Sequence, residues 1–157
     1  MMNIRLRDVY EARPVKAETI EFLYGLIQQR MTEPEVNISA TMPTMQQHRQ
    51  FIYRQPFRCW YLIDAEMPDL RPDPWCQVGY ISATDRNEIG IVLLKGWRGG
   101  GIGRAAVEKF LAEHQPLPAV PSMRRGRFVA NINPANVASI ALFTGLGARH
   151  IQNTYEL

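Results

Sequence analysis

The sequence predicts a mixed α/β domain, a central sheet with helices on its faces. Three observations support this. Several short segments alternate apolar and polar residues with the period of a strand. Others place apolar residues three and four apart, the spacing of one helix face. The two kinds follow one another as strand–helix–strand units after a group of hairpins. A chain of 157 residues suits one domain over 1–157, and 46% apolar against 21% charged residues is ordinary for a globular protein.

Residues 3–9 (NIRLRDV) alternate and read as a first strand. Ile20, Leu23, Leu26, Ile27 and Met31 mark one face of a helix over 17–31. Pro34 and Pro43 punctuate a loop, and Thr44 stands three residues before Gln47 as a capping box for a second helix, with Met45, His48, Phe51 and Ile52 on one stripe. Residues 58–65 and 77–83 read as strands across a loop holding Pro68, Pro72 and Pro74. A tight Asp85-Arg86-Asn87 turn joins the second of them to a strand over 88–94. A helix over 99–114 begins Gly-rich, presents Ile102, Ala106, Phe110 and Leu111 to one side, and is stopped by Pro116, Pro118 and Pro121. A short strand over 128–132, a nearly all-apolar helix over 136–146 with Gly147 as its C-terminal cap, and a last strand over 150–157 complete the order β-α-α-β-β-β-α-β-α-β. The sheet is therefore expected to be mixed.

Composition excludes several classes. No apolar run approaches the ~20 residues that cross a bilayer, so no membrane partner is expected. Residues 1–7 lack the pattern of a secretory leader. Cys59 and Cys76 are too few for a disulfide framework and match no zinc or redox spacing, so no metal is expected and a reducing cytoplasm is the natural compartment. The net charge of +3 is mild, and its densest cluster, Arg124, Arg125 and Arg127, falls in a Pro-rich connection. That reads as a solvated loop and not as a nucleic-acid face.

The most informative stretch is Leu93-Leu94-Lys95-Gly96-Trp97-Arg98-Gly99-Gly100-Gly101-Ile102-Gly103-Arg104. Glycine inside a helix costs about 1 kcal/mol relative to alanine, so such a cluster at a helix start is expensive unless it acts. Stripped of side chains, successive N–H groups can converge on an anion with the help of the helix dipole, and several such contacts beside Arg98 and Arg104 would hold a pyrophosphate. The alternative is a flexible strand–helix loop. A Walker loop fails, since Gly103 is followed by Arg104-Ala105 and not by Lys-Ser/Thr. A dinucleotide fingerprint can be forced onto Gly101-Ile-Gly103-Arg-Ala-Ala106, but it is a weak reading for want of an acidic residue in 128–134.

Arg98-Gly-Gly-Gly101-Ile-Gly103 resembles the R/Q-x-x-G-x-G/A signature of the GNAT superfamily of acetyl-CoA-dependent N-acyltransferases. A second block, Asn133-Pro-Ala-Asn136-Val-Ala-Ser139-Ile-Ala-Leu142-Phe143-Thr-Gly-Leu-Gly147, is similar to that family's Asn-x-x-Ser/Ala-x-x-Leu-Tyr-x-x-x-Gly helix. Both stand in the expected order across nearly the whole chain. The resemblance implies a mixed sheet of six to seven strands, about four helices, and acetyl-CoA as cosubstrate. It implies that Ile91, Val92 and Leu93 offer main-chain groups to the pantetheine arm. Arg98, Gly99, Gly100, Gly101, Ile102, Gly103 and Arg104 would cradle the pyrophosphate, with Asn131, Asn136 and Phe143 completing the cofactor side. Asn136 serves equally as a helix N-cap.

The chemistry implied is direct acetyl transfer to a primary amine on a small molecule, an amino sugar or a protein N-terminus. An alkylammonium of pKa near ~10 is about one part in a thousand neutral at pH 7, roughly 4 kcal/mol to be recovered before attack. Glu88 sits where many members carry a catalytic Glu, and strand alternation sets it on the face of Gly90, Val92 and Leu94. The alternative is a solvated strand-end carboxylate; Asp85 is the weaker candidate. Phe143 stands where the family has the Tyr that protonates the departing thiolate. Tyr155 or Tyr80 is a possible substitute, or the thiolate leaves unaided, its pKa near ~8.5 making it a tolerable leaving group. His48, Trp60, Tyr61 and Trp97 read as packing residues, His48 alternatively as an acceptor contact. Segments 32–58 and 65–76 form the acceptor side without selecting an amine. The loss of the Tyr also admits a non-catalytic CoA sensor, and the terminal strand, as an exposed edge, admits a homodimer.

Overall fold

The structure, a computed structural model, describes residues 2–35, 41–70 and 72–157. Its strands β1 (Ile4–Asp8), β2 (Cys59–Glu66), β3 (Trp75–Ala83) and β4 (Ile89–Leu93) pair in chain order into one sheet, each neighbour antiparallel. Helices α1 (Ala17–Met31) and α2 (Met45–Tyr53) lie between β1 and β2 in sequence, and α3 (Ile102–Glu113) and α4 (Val137–Gly145) follow β4. The four helices and the first four strands expected from the sequence are present. Thr44 opens α2 with the capping box, its hydroxyl accepting from the Gln47 N–H at 3.1 Å while Gln47 Oε1 accepts from the Thr44 N–H at 2.9 Å.

Two expected strands are absent, and with them the mixed sheet of six to seven. Residues 128–132 contribute one parallel bridge, Val129 against Glu88, made by the Ile89 N–H to the Val129 carbonyl at 2.8 Å and the Val129 N–H to the Asn87 carbonyl at 2.9 Å. Beyond these two bonds 128–132 makes no backbone hydrogen bond to β4 among the described residues, so the ladder stops at a single bridge. Residues 150–157 form no strand and are exposed throughout. Alternation marks a segment that would suit a sheet; without a fifth strand to pair against, its N–H and C=O groups face water. The edge-pairing argument for a homodimer loses its strand with it.

Alternation along β2 sorts the core into two layers. Leu62 and Trp60 face α1 and α2, packing with Ile20, Leu23, Leu26 and Ile52. Ile63 and Ala65 face the other way, toward Ile102, Ala106, Val107 and Phe110 of α3. Leu111, expected in that stripe, is exposed; Val107 takes its place. The β2–β3 register shifts at Ile63/Asp64, where Val78 is the extra residue. This bulge lets Val78 share the α3 side with Ile81 and Ala83 although strict alternation opposes them.

The β3–β4 hairpin carries the tightest polar knot. The Asn87 N–H donates to the Thr84 carbonyl at 3.1 Å, and Asn87 takes the left-handed backbone position, φ 63°, that closes a three-residue loop. Its side chain is wholly buried, donating to the carbonyls of Leu117 (2.9 Å) and Arg125 (2.8 Å) and accepting from the Leu117 N–H (2.8 Å). Asn87→Ala strands three backbone groups in the interior, each at about 1–3 kcal/mol, and should lower stability by roughly 3 kcal/mol or more. Urea unfolding checks this: the midpoint should fall with the slope unchanged.

Candidate functional site

β4 runs out at Leu93, whose carbonyl is clamped from two directions. It accepts from Gln29 Nε2 on α1 at 3.0 Å and from Arg98 Nε and Nη2 at 3.2 and 3.1 Å. Gln29 Oε1 in turn accepts from the Lys95 N–H at 2.8 Å, and Arg98 Nη1 pairs with buried Glu33 at 2.6 Å. The Arg98 guanidinium is thus committed to the base of the loop, tying it to α1. After the short 3-10 turn Lys95–Trp97 the chain enters the glycines.

Gly99 and Gly101 hold φ of 81° and 83°, left-handed conformations that suit glycine. Gly101 is the N-cap of α3, with no side-chain cap. From Gly99 to Arg104, six consecutive backbone N–H groups have no protein acceptor among the described residues; the next, on Ala105, donates to the Gly101 carbonyl at 3.0 Å. A Cβ built on Gly99, Gly100 or Gly101 would meet nothing within 4 Å, so the loop looks onto open space. The positive end of the α3 dipole adds to this row of bare donors. Gly103 differs: its Cβ would lie 3.4 Å from Leu142 Cδ2, so its bareness lets α4 close on α3.

Arg104 Nε pairs along α3 with Glu108 at 2.9 Å, and its Nη1 donates to the Gly145 carbonyl at 3.4 Å. Asn136 caps α4, accepting from the Ser139 N–H at 3.1 Å. Phe143 packs half-buried against the α3-side core, while Asn131 is exposed. Ile91 and Leu93 side chains belong to that core and Val92 to the opposite one, as alternation requires. Ile102 is buried and anchors the first turn of α3. Tyr155 is 82% exposed on the tail, so the expectation of a tyrosine delivered by a last strand is corrected.

Glu88 stands half-buried at the start of β4, its backbone held by Thr84 and Val129. Among the described residues its carboxylate has no hydrogen bond or ion pair. Along the same face come Gly90, opposite Ser82, then Val92, opposite Tyr80. Burial pushes the Tyr80 phenol above its ordinary pKa, so it keeps its proton but yields it to a thiolate reluctantly. His48 is buried, its Nε2 3.0 Å from the Ile20 carbonyl, and burial pushes its pKa down, leaving a neutral ring. Trp60 is core and Trp97 lies partly buried against the α3-side core, as expected. Tyr61 packs there too, its hydroxyl 2.9 Å from His114 Nε2.

The family model described as "Acetyltransferase (GNAT) domain" matches residues 12–149. The chain belongs to this family. Among curated proteins none matches the chain. A domain from Methanocaldococcus jannaschii DSM 2661 is similar at a TM-score of 0.74 and 20% identity, over 99% of this chain and 94% of that one. YncA, a putative acetyltransferase from Salmonella typhimurium solved with its cofactor acetyl-CoA, is similar at 0.60 and 18%, over 94% and 79%. A ribosomal-protein-alanine N-acetyltransferase from Brucella melitensis is similar at 0.59 and 20%, over 92% and 83%. These likenesses are of fold.

For this GNAT domain, sequence reasoning missed Gln29 and Glu33, which brace the glycine loop from α1. Nothing local marks them, since each meets its partner some 65 residues away. It also missed a cavity of about 760 Å³ between α1 and α2. Among the described residues no His, Cys, Asp and Glu cluster could hold a metal, and no helix is long and apolar enough to cross a membrane.

Proposed function

We propose that this GNAT domain is an N-acetyltransferase that moves an acetyl group from acetyl-CoA directly to a primary amine. The single observation that carries the reading is the row of six backbone amides from Gly99 to Arg104 at the start of α3 that have no protein acceptor among the described residues, with open space beside Gly99, Gly100 and Gly101. A cradle that a side chain would fill suits a diphosphate, and the main chain of Ile91 and Val92 would meet the pantetheine arm, whereas the Leu93 carbonyl is already taken by Gln29 and Arg98. Asn136, Asn131 and Phe143 complete the cofactor side. Arg98 acts by holding the loop in place; Arg104 is the cation nearest its open face in sequence.

Acetyl-CoA supplies the thioester whose C–S bond breaks. Glu88, whose carboxylate has no partner among the described residues, takes a proton from the acceptor ammonium, directly or through a water. The neutral nitrogen then bonds to the acetyl carbonyl carbon and the sulfur leaves as thiolate. The second amine proton passes to solvent. Neither Phe143 nor the exposed Tyr155 furnishes an acid here, and the thiolate is a tolerable leaving group alone.

Thiol release from acetyl-CoA over a panel of primary amines tests this. Turnover with at least one acceptor is expected, with thiol and acetylated amine in equal amounts. Tight acetyl-CoA binding with no turnover on any amine would favour a CoA sensor, the reading that Phe143 keeps open.

A further inference from the structure

We infer that the cavity between α1 and α2 receives the acceptor, and that this acceptor carries its amine on an apolar, preferably aromatic, body that also bears an anionic group. This deepens the transferase reading and rests on it. At about 760 Å³ the cavity falls within the range of small-molecule sites. Its walls include Phe51, Phe57, Trp60 and Tyr80, an aromatic surface for a flat or apolar body. Tyr80 pairs with Val92 of β4, so the cavity backs directly onto the strand that leads to the glycine loop.

The charge of the lining selects the rest. Among the described residues Arg30 and Arg54 are its ionised groups, no Asp or Glu lines it, and neither guanidinium has an ion pair. Arg30 and Tyr80 line the same cavity. Two unpaired cations repel a simple ammonium and welcome a molecule that brings its own carboxylate or phosphate, to which Arg presents paired donors. Two lining side chains have buried polar atoms without a protein partner among the described residues, Trp60 Nε1 and His48 Nδ1. The Ile20 carbonyl can only accept, so His48 carries its proton on Nε2 and leaves Nδ1 as an acceptor. The wall thus has a spare donor and a spare acceptor, the pair a polar ligand would satisfy.

The test compares L-phenylalanine, its amide and phenethylamine, which share the amine and ring and differ in the anion. With the full chain and saturating acetyl-CoA, kcat/KM for the acid should exceed the other two at least about tenfold. Arg30→Gln, and separately Arg54→Gln at an exposed position that endangers the fold less, should shrink that preference to about twofold or less. Binding is followed in parallel, without acetyl-CoA, by quenching of tryptophan fluorescence. If no amine is turned over but the acid still quenches and Arg30→Gln abolishes the quench, the transferase reading falls and the cavity assignment stands. Equal turnover of acid, amide and amine, or a preference for the acid untouched by both substitutions, overturns the assignment while leaving the transferase reading intact.

Discussion

Gly101→Val should weaken acetyl-CoA binding at least about thirtyfold, roughly 2 kcal/mol, while the chain stays folded. Two effects act together. The residue sits at φ 83°, where a branched side chain is strained by about 1–2 kcal/mol, so the backbone shifts to relieve it and the row of amides loses its alignment. The new side chain also projects into the open space beside Gly99 and Gly100 that the diphosphate would occupy. A partly buried charge–dipole contact reaches about 2 kcal/mol, so losing the convergence accounts for a change of this size. Gly96→Ala is the control, since its φ lies outside the left-handed range, its added methyl group meets nothing and it precedes the row of bare amides; it should change affinity far less. Isothermal titration with acetyl-CoA, alongside a melting curve for each variant, reads both quantities. Unaltered affinity in Gly101→Val would remove the cradle from the account of binding.

Glu88→Gln should lower kcat about a hundredfold at pH 7 and only a few-fold near pH 9.5, with acetyl-CoA affinity unchanged. The sign follows from the acceptor. At pH 7 nearly every alkylammonium must lose a proton before it can attack, so a base placed beside it contributes most; as pH approaches the amine pKa near ~10, solvent has already done this. Gln keeps the shape and the half-buried strand-end position but cannot take the proton. A pH–rate profile parallel to that of the unaltered chain would reduce Glu88 to a strand-end carboxylate. The Asn87 knot makes this experiment clean, because the turn next to Glu88 is held by three side-chain hydrogen bonds that the substitution does not touch.

What was legible in the sequence is what depends on neighbours a few residues apart. The stripe of Ile20, Leu23 and Leu26, the Thr44 capping box, the Asp85-Arg86-Asn87 turn and the glycines before α3 each carry their structural instruction locally, because helix faces, caps and left-handed turns are set by residues within one or two turns of chain. The glycine loop was recognisable for the same reason: amides are bared by absent side chains, which composition alone reveals. Only the tertiary structure could decide whether 128–132 and 150–157 become strands, because a strand exists through its partner's hydrogen bonds, and an alternating pattern cannot announce whether that partner arrives. It also decided the roles of long side chains. Arg98 turned inward to Leu93 and Glu33, and Gln29 bridged the end of β4, contacts set by how α1 lies on the sheet and by nothing in the sequence beside them.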